Sequence, residues 1–150
     1  MRLVVQRVKE ASCTVDSKIT GQIKQGFMVL VGIGLDDNKD IVEKMAVKLS
    51  KLRVFEDENQ KMNLGIFDIN GSILSISQFT LYADCSRGNR PSFTNAMSGQ
   101  EANALYEYFN KCLNDLGLHV EKGIFGADMA IKLWNDGPVT IIMDSKEIIK

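Results

Sequence analysis

Gly26-Phe27-Met28-Val29-Leu30-Val31-Gly32-Ile33 is apolar at every position that is not glycine. A strand with one face in water alternates apolar and polar residues. An unbroken run of this length therefore reads as a central strand buried on both faces. Upstream the pattern is also strand-like. Leu3, Val5 and Arg7 alternate with Val4, Gln6 and Val8. Ser12-Cys13-Thr14-Val15 then passes through Asp16-Ser17-Lys18, a tight-turn sequence, into Ile19 to Ile23.

Downstream the period changes. Ile41, Met45, Leu49 and Leu52 recur at helical spacing with Val42 and Ala46 beside them, and Lys44, Lys48 and Lys51 line one edge. A second helix is signed by Ser98 and Glu101, the spacing of a capping box. Its stripe is Ala102, Leu105, Tyr106, Phe109, Cys112, Leu113 and Leu116, and Gly117 supplies a left-handed stop. Ile73 to Tyr82, Met129 to Leu133 and Val139 to Met143 read as further strands. Two helices cannot cover so many strands on both faces. The expected fold is α+β: one domain over residues 1–150, two packed, mostly antiparallel, barrel-like sheets, and two main helices on one outer side.

Composition sets the boundaries. The chain has 150 residues, 45% of them apolar and 25% charged, which is an ordinary globular balance. Lysine and arginine number 18 against 19 acidic residues, so a globally basic nucleic-acid binder is excluded while a local basic loop is not. Cys13, Cys85 and Cys112 lack C-x-x-C spacing, so neither a disulfide framework nor a zinc site is expected. With no cluster of His, Cys or carboxylates, no metal or other cofactor is expected either. The first residues carry too short an apolar run for a signal peptide, and Phe27 to Val31 is far below the ~20 residues of a membrane helix. The expected setting is the cytoplasm, away from membranes.

Most isolated candidates are weak. His119 is the only histidine and has no catalytic partner beside it, so a strand start is the better reading. Cys13 and Cys112 fit core positions. Cys85 follows Asp84 in a loop where only Arg87 could lower its pKa. Gly32-Ile33-Gly34 reads as a strand end, and Glu56-Asp57-Glu58 as a solvated turn.

Three segments stand out. In Ser77-Gln78-Phe79-Thr80-Leu81-Tyr82-Ala83-Asp84 the apolar phase slips by one at Ser77-Gln78. A period-2 strand needs a bulge or a change of buried face to do this. A bulge would free backbone N–H groups for an oxyanion site. The plainer account is a strand passing between layers. In Asn135-Asp136-Gly137-Pro138-Val139-Thr140, Gly-Pro marks a turn. It also suits a rigid backbone probe, since glycine permits close approach and an X-Pro bond adopts cis cheaply. Ser86-Arg87-Gly88-Asn89-Arg90-Pro91-Ser92-Phe93 holds two of the five arginines. Such a loop either grips phosphate or simply solvates the surface.

Taken together, Ser77-Gln78-Phe79-Thr80-Leu81, Arg87-Gly88-Asn89-Arg90-Pro91-Ser92-Phe93 and Asn135-Asp136-Gly137-Pro138-Val139-Thr140 resemble the signature segments of the D-aminoacyl-tRNA deacylase family. Met1-Arg2-Leu3-Val4-Val5-Gln6-Arg7-Val8 and Phe125-Gly126-Ala127-Asp128-Met129 also resemble that family, and the likeness runs over nearly the whole chain. The resemblance implies hydrolysis of the ester joining a D-amino acid to the 3′ end of tRNA. It implies a homodimer in which a cis Gly137-Pro138 reaches into the partner's pocket and rejects L side chains. It places Ser77, Gln78, Phe79 and Thr80 at the pocket, with the Phe79 and Thr80 amides at the scissile carbonyl. By the same resemblance Phe125 contacts the terminal adenosine, Met129 lines the pocket, and Arg7 orients the Gly-Pro element. Arg87 and Arg90 are the candidate tRNA phosphate contacts. A steric block at Cα predicts that glycine is poorly excluded. Two other readings compete: a non-catalytic RNA-binding dimer module on the same fold, and a general esterase using Cys85 or Thr80 with His119.

Overall fold

A computed structural model describes residues 1–149. In chain order the elements are β1 (Arg2–Val15), β2 (Lys18–Ile23), β3 (Gly26–Gly32), α1 (Lys39–Ser50), β4 (Arg53–Glu56), β5 (Met62–Gly65) and β6 (Ser72–Ser77). There follow a 3₁₀ turn (Phe79–Tyr82), α2 (Gly99–Asp115), β7 (His119–Lys122), β8 (Ala130–Asp144) and a short α3 (Ser145–Ile148). The main sheet has six strands in the order β2-β1-β3-β6-β7, with β8 on the free side of β1. Three pairings, β1 with β2, β3 and β8, are antiparallel. The pairings β3–β6 and β6–β7 are parallel. β2 and β7 come close at the far side, where a Cβ on Gly21 would lie 2.9 Å from the Lys122 carbonyl oxygen. The sheet thus nearly closes into a barrel, and β4 and β5 form a second, small sheet. The α+β, barrel-like expectation holds.

The double-sided run is β3. Phe27, Val29 and Val31 pack with Val42, Met45, Leu49, Tyr106, Phe109 and Leu113, so both long helices lie on one face of the sheet. Met28 and Leu30 turn the other way, into a second cluster with Val8, Cys13, Leu74 and Ile76. Burying a large apolar side chain contributes about 1.5–3 kcal/mol, so this strand anchors both clusters. Asp16 and Ser17, at φ 47° and 63°, form the two-residue hairpin turn the sequence suggests. Gly117, at φ 94°, ends α2 as expected: its amide reaches Asn114 O and the Leu118 amide reaches Leu113 O.

Four local expectations are corrected. Ile73 to Tyr82 is not one strand, because β6 ends at Ser77 and the chain winds into the 3₁₀ turn. The phase slip is therefore neither a bulge nor a change of layer. Phe79 and Leu81 imitate strand alternation inside a turn. Ala130–Leu133 and Val139–Met143 are not separate strands but parts of the 15-residue β8, and Met129 lies just before that strand. The Ser98–Glu101 capping box does not form, as Ser98 makes no side-chain cap bond. Ser98 has the extended backbone usual for a cap, but Gly99 follows it at φ 69°, outside the helical region. Finally, Leu52 lies past the end of α1, whose last residue is Ser50.

Candidate active site

The end of β6 and its turn build one wall of the site. The Gln78 amide donates to Val31 O at 2.8 Å, carrying the β3–β6 ladder one residue past Ser77. The first bond of the 3₁₀ turn runs from the Leu81 amide to Gln78 O at 3.3 Å. Phe79 and Thr80 precede that bond, so the turn itself offers their N–H groups no partner. Gln78 Nε2 donates to Thr80 Oγ1 at 2.6 Å, which engages the hydroxyl with an amide rather than a base.

Beside this wall lies a cavity of about 780 Å³. Its lining includes Ser77, Gln78 and Phe79 from this wall, together with Phe93, Tyr106, Phe125 and Met129. Phe125 occupies the second place of a turn closed by the Ala127 amide on Ile124 O. Gly126, at φ 77° in the third place, supplies the conformation such a turn favours in glycine. The Phe125 ring packs on Tyr106 with centroids 6.0 Å apart. Tyr106 in turn donates to Ser75 O at 2.8 Å, the same carbonyl that accepts the Gly123 amide. Burial pushes the Tyr106 phenol pKa up, keeping it a neutral donor. The Tyr106 side chain thus joins α2 to β6 through its hydroxyl and to the turn carrying Phe125 through its ring.

The Gly137-Pro138 element arises from the pairing of β1 with β8. Gln6 pairs with Thr140 and Val8 with Asn135, so four residues, Asp136 to Val139, stand opposite Arg7 alone. They leave the ladder as a tight projection with a cis Gly137–Pro138 peptide. Gly137 has φ 126°, and a Cβ there would meet Val139 Cγ2 at 2.9 Å and Arg7 Nη2 at 3.0 Å. Asn135 Nδ2 closes the neck by donating to Arg7 O and Val139 O, both at 3.0 Å. The Arg7 side chain is 5% exposed beneath it. It donates to Asp136 O at 3.2 Å and Val54 O at 2.7 Å, and its Nε lies 3.4 Å from Asp136 Oδ2. Gly137 and Pro138 themselves are exposed and do not line their own chain's cavity.

The arginine loop is closed at its base by two bonds between Asp84 and Ser92, at 2.8 and 2.9 Å. The Ser86 hydroxyl and amide hold the Asp84 carboxyl below its ordinary pKa. Arg87 and Arg90 are exposed at the tip. Phe93 folds back edge-on against Phe79 with centroids 5.0 Å apart, linking this loop to the site wall.

The structure therefore gathers Ser77, Gln78, Phe79, Phe125 and Met129 at one cavity, with Thr80 in the turn beside it. It leaves Gly137, Pro138, Arg87 and Arg90 outside that cavity. His119 is exposed at the start of β7, 3.3 Å from Glu121 and outside the lining. Cys13 is buried and Cys85 exposed, while burial raises the Cys112 thiol pKa. Tyr106 and Asn135 were missed as supports. The first looks like one more member of an apolar stripe, and the second like an ordinary turn residue.

Comparison with known proteins adds a direct likeness. A family model described as D-Tyr-tRNA(Tyr) deacylase matches residues 4–144. A D-aminoacyl-tRNA deacylase of Bacillus pumilus is 57% identical over 147 residues, covering 98% of this chain and 100% of the relative. One from Fervidobacterium nodosum is 51% identical over 148 residues, covering 99% of each. Among solved structures, the c-Myc DNA unwinding element binding protein superposes with TM-score 0.90 at 40% identity, covering 96% of this chain and 98% of that one. A probable eukaryotic D-amino acid tRNA deacylase gives TM-score 0.82 at 16% identity over 95% of this chain and 97% of that one, a likeness of fold.

Proposed function

The chain belongs to the D-aminoacyl-tRNA deacylase family of ester hydrolases, and on that premise we propose that it is a chiral proofreader working through main-chain groups. The observation that carries this mechanism is the pair of amides, Phe79 and Thr80, that have no hydrogen-bond partner among the described residues, in the turn beside a cavity of about 780 Å³. An aminoacyl ester is already activated. Holding it beside a water, with donors aimed at the developing oxyanion, supplies much of the acceleration without a protein nucleophile. The Gln78–Thr80 hydrogen bond favours this over attack by the Thr80 hydroxyl, since among the described residues that oxygen is hydrogen-bonded to an amide and to no His, Lys or carboxylate. The 2′-hydroxyl of the terminal ribose then takes the part of the missing protein base. Phe125 meets the terminal adenosine and Met129 lines the pocket.

The selector is Gly137-Pro138 of a second copy. Its exposure, its rigid mount on Arg7 and Asn135, and its separation from its own cavity support this reading. Trp134 is 59% and Ile142 74% exposed on β8, which gives the two copies an apolar face to share. Carbonyls of the projection would accept a D configuration and collide with any L side chain. Glycine offers nothing to collide with, so glycyl-tRNA is also a substrate. Arg87 and Arg90 take backbone phosphates of the tRNA, and the protein acts as a cytoplasmic homodimer.

The test is a matched time course with D-tyrosyl-tRNA and L-tyrosyl-tRNA, with and without chelator. Release of the D ester alone, unaffected by chelator, is expected. Release of both esters would make it a general esterase. Release of neither would return it to an RNA-binding module. A Pro138→Ala variant keeping full rate and full D/L selectivity would eliminate the selector.

A further inference from the structure

We infer that Arg2 is a positioning residue for the reaction, holding the 3₁₀ turn so that the Phe79 and Thr80 amides stay aimed at the substrate. The inference rests on the main-chain mechanism above. A 3₁₀ turn leaves its last carbonyls without partners. Here Thr80 O accepts the Ala83 amide at 3.0 Å, while Leu81 O accepts Arg2 Nη1 at 3.0 Å. The guanidinium thus caps the turn from outside.

Sheet register explains why residue 2 can do this. In β1, Arg2 stands opposite Gly32 of β3 on one side and Asp144 of β8 on the other. Gly32 has no side chain, and a Cβ there would already lie 3.0 Å from Leu81 Cβ. The turn therefore sits directly on the β3 backbone, within reach of its neighbour Arg2. On the other side Arg2 Nε binds Asp144 Oδ2 at 2.8 Å. The guanidinium also lies 4.6 Å from the centre of the Tyr82 ring, at the end of the same turn. These contacts fix the plane and the direction of the fork. A lysine ammonium, being a single point charge, cannot make both hydrogen bonds and the stack together.

The side chain of Arg2 is 40% exposed, so core packing does not account for it, and a surface ion pair alone contributes little to stability. Its effect should appear in rate. Misplacing a prealigned group by about 1 Å costs about 10²-fold.

The experiment uses the full chain and D-tyrosyl-tRNA, with kcat, KM and melting temperature measured for Arg2→Met, Arg2→Lys and Asp144→Asn. Arg2→Met should lose roughly tenfold or more in kcat, with KM nearly unchanged and a cooperative melt retained. Arg2→Lys, which keeps the charge, should recover only a minor part of that loss. Asp144→Asn should fall between Arg2→Met and the unaltered protein. Full kcat in Arg2→Met or Arg2→Lys overturns the inference, as does a defect confined to KM or to melting temperature. If the unaltered protein releases D-tyrosine from tRNA while Arg2→Met does so equally well, the role of Arg2 fails and the activity stands. If the unaltered protein releases nothing, the activity itself has failed.

Discussion

Gly32→Ala tests whether the position of the 3₁₀ turn sets the rate. An ideal Cβ at residue 32 would lie 3.0 Å from Leu81 Cβ and 3.2 Å from the Gln78 carbonyl oxygen. Carbon atoms settle about 3.5–4.0 Å apart, so the new methyl must push the turn outward by roughly half an ångström or more. Gly32 does not use the left-handed region, so the cost is steric rather than conformational. Overpacking of this kind costs about 1–3 kcal/mol of stability. If 1 Å of misplacement costs about 10²-fold, half that distance should cost about tenfold in kcat. Gly65→Ala is the matched control, because its Cβ would meet nothing closer than 3.4 Å. D-tyrosyl-tRNA turnover would be followed for both variants beside thermal melts. Gly32→Ala should slow kcat at temperatures where it is fully folded, and Gly65→Ala should not. A Gly32→Ala protein that melts earlier yet turns over at the unaltered kcat would refute the reasoning, since a displaced turn would then be catalytically silent.

Other outcomes can be stated more briefly. Tyr106→Phe removes one buried hydrogen bond but leaves Ser75 O its Gly123 partner. The loss should be about 0.5–1.5 kcal/mol, or a few degrees of melting temperature, by calorimetry. Burial works to raise the Asp144 carboxyl pKa, but the Arg2 guanidinium and the Lys146 amide outweigh it and hold the group below its ordinary value. A carboxyl depressed in the folded state stabilises fully above its unfolded pKa of about 3.9, and that contribution disappears as pH falls through the lower folded value. Urea midpoints should therefore drop through this acidic window, and Asp144→Asn should flatten the drop. Replacing Arg87 and Arg90 with alanine should weaken binding of uncharged tRNA and reduce the slope of log K against log salt by about 0.7–0.9 per lost phosphate contact. An unchanged slope would remove both arginines from the interface.

The architecture was largely legible because it rests on periodicity. The double-sided run of β3 and the stripes of α1 and α2 report their burial directly, and the turns at Asp16-Ser17 and Gly117 report φ values that few residues accept. The failures share one cause. Asp136 to Val139 looks like a gap between strands, because a proline normally ends a central strand. The ladder resumes at Thr140 only because Arg7 and Asn135, far apart in sequence, support the excursion. Likewise the phase slip at Gln78 was visible, but nothing local tells a bulge from a strand that stops. At the stop the chain turns against Gly32, and Leu81 O takes a hydrogen bond from Arg2, both contacts contributed by strands distant in sequence.

The same contrast bears on how this site encodes its chemistry. A hydrolase built on a Ser-His-Asp arrangement announces itself through residue types, because the side chains perform the steps. Here the proposed donors are backbone amides and the proposed selector is a pair of carbonyl-bearing residues, groups that every residue possesses. Selection on such a site falls on whatever fixes the backbone path. Glycine is needed at residue 32 because the turn touches it, and at residue 137 because φ is 126°. Arginine is needed at residues 2 and 7 because one planar fork must hold carbonyls and carboxylates at once. The most informative residues are therefore not those at the reacting centre but the four that mount it. Gly32 and Arg2 contact the turn that carries the proposed donors, and Gly137 and Arg7 form the projection proposed as selector and its support.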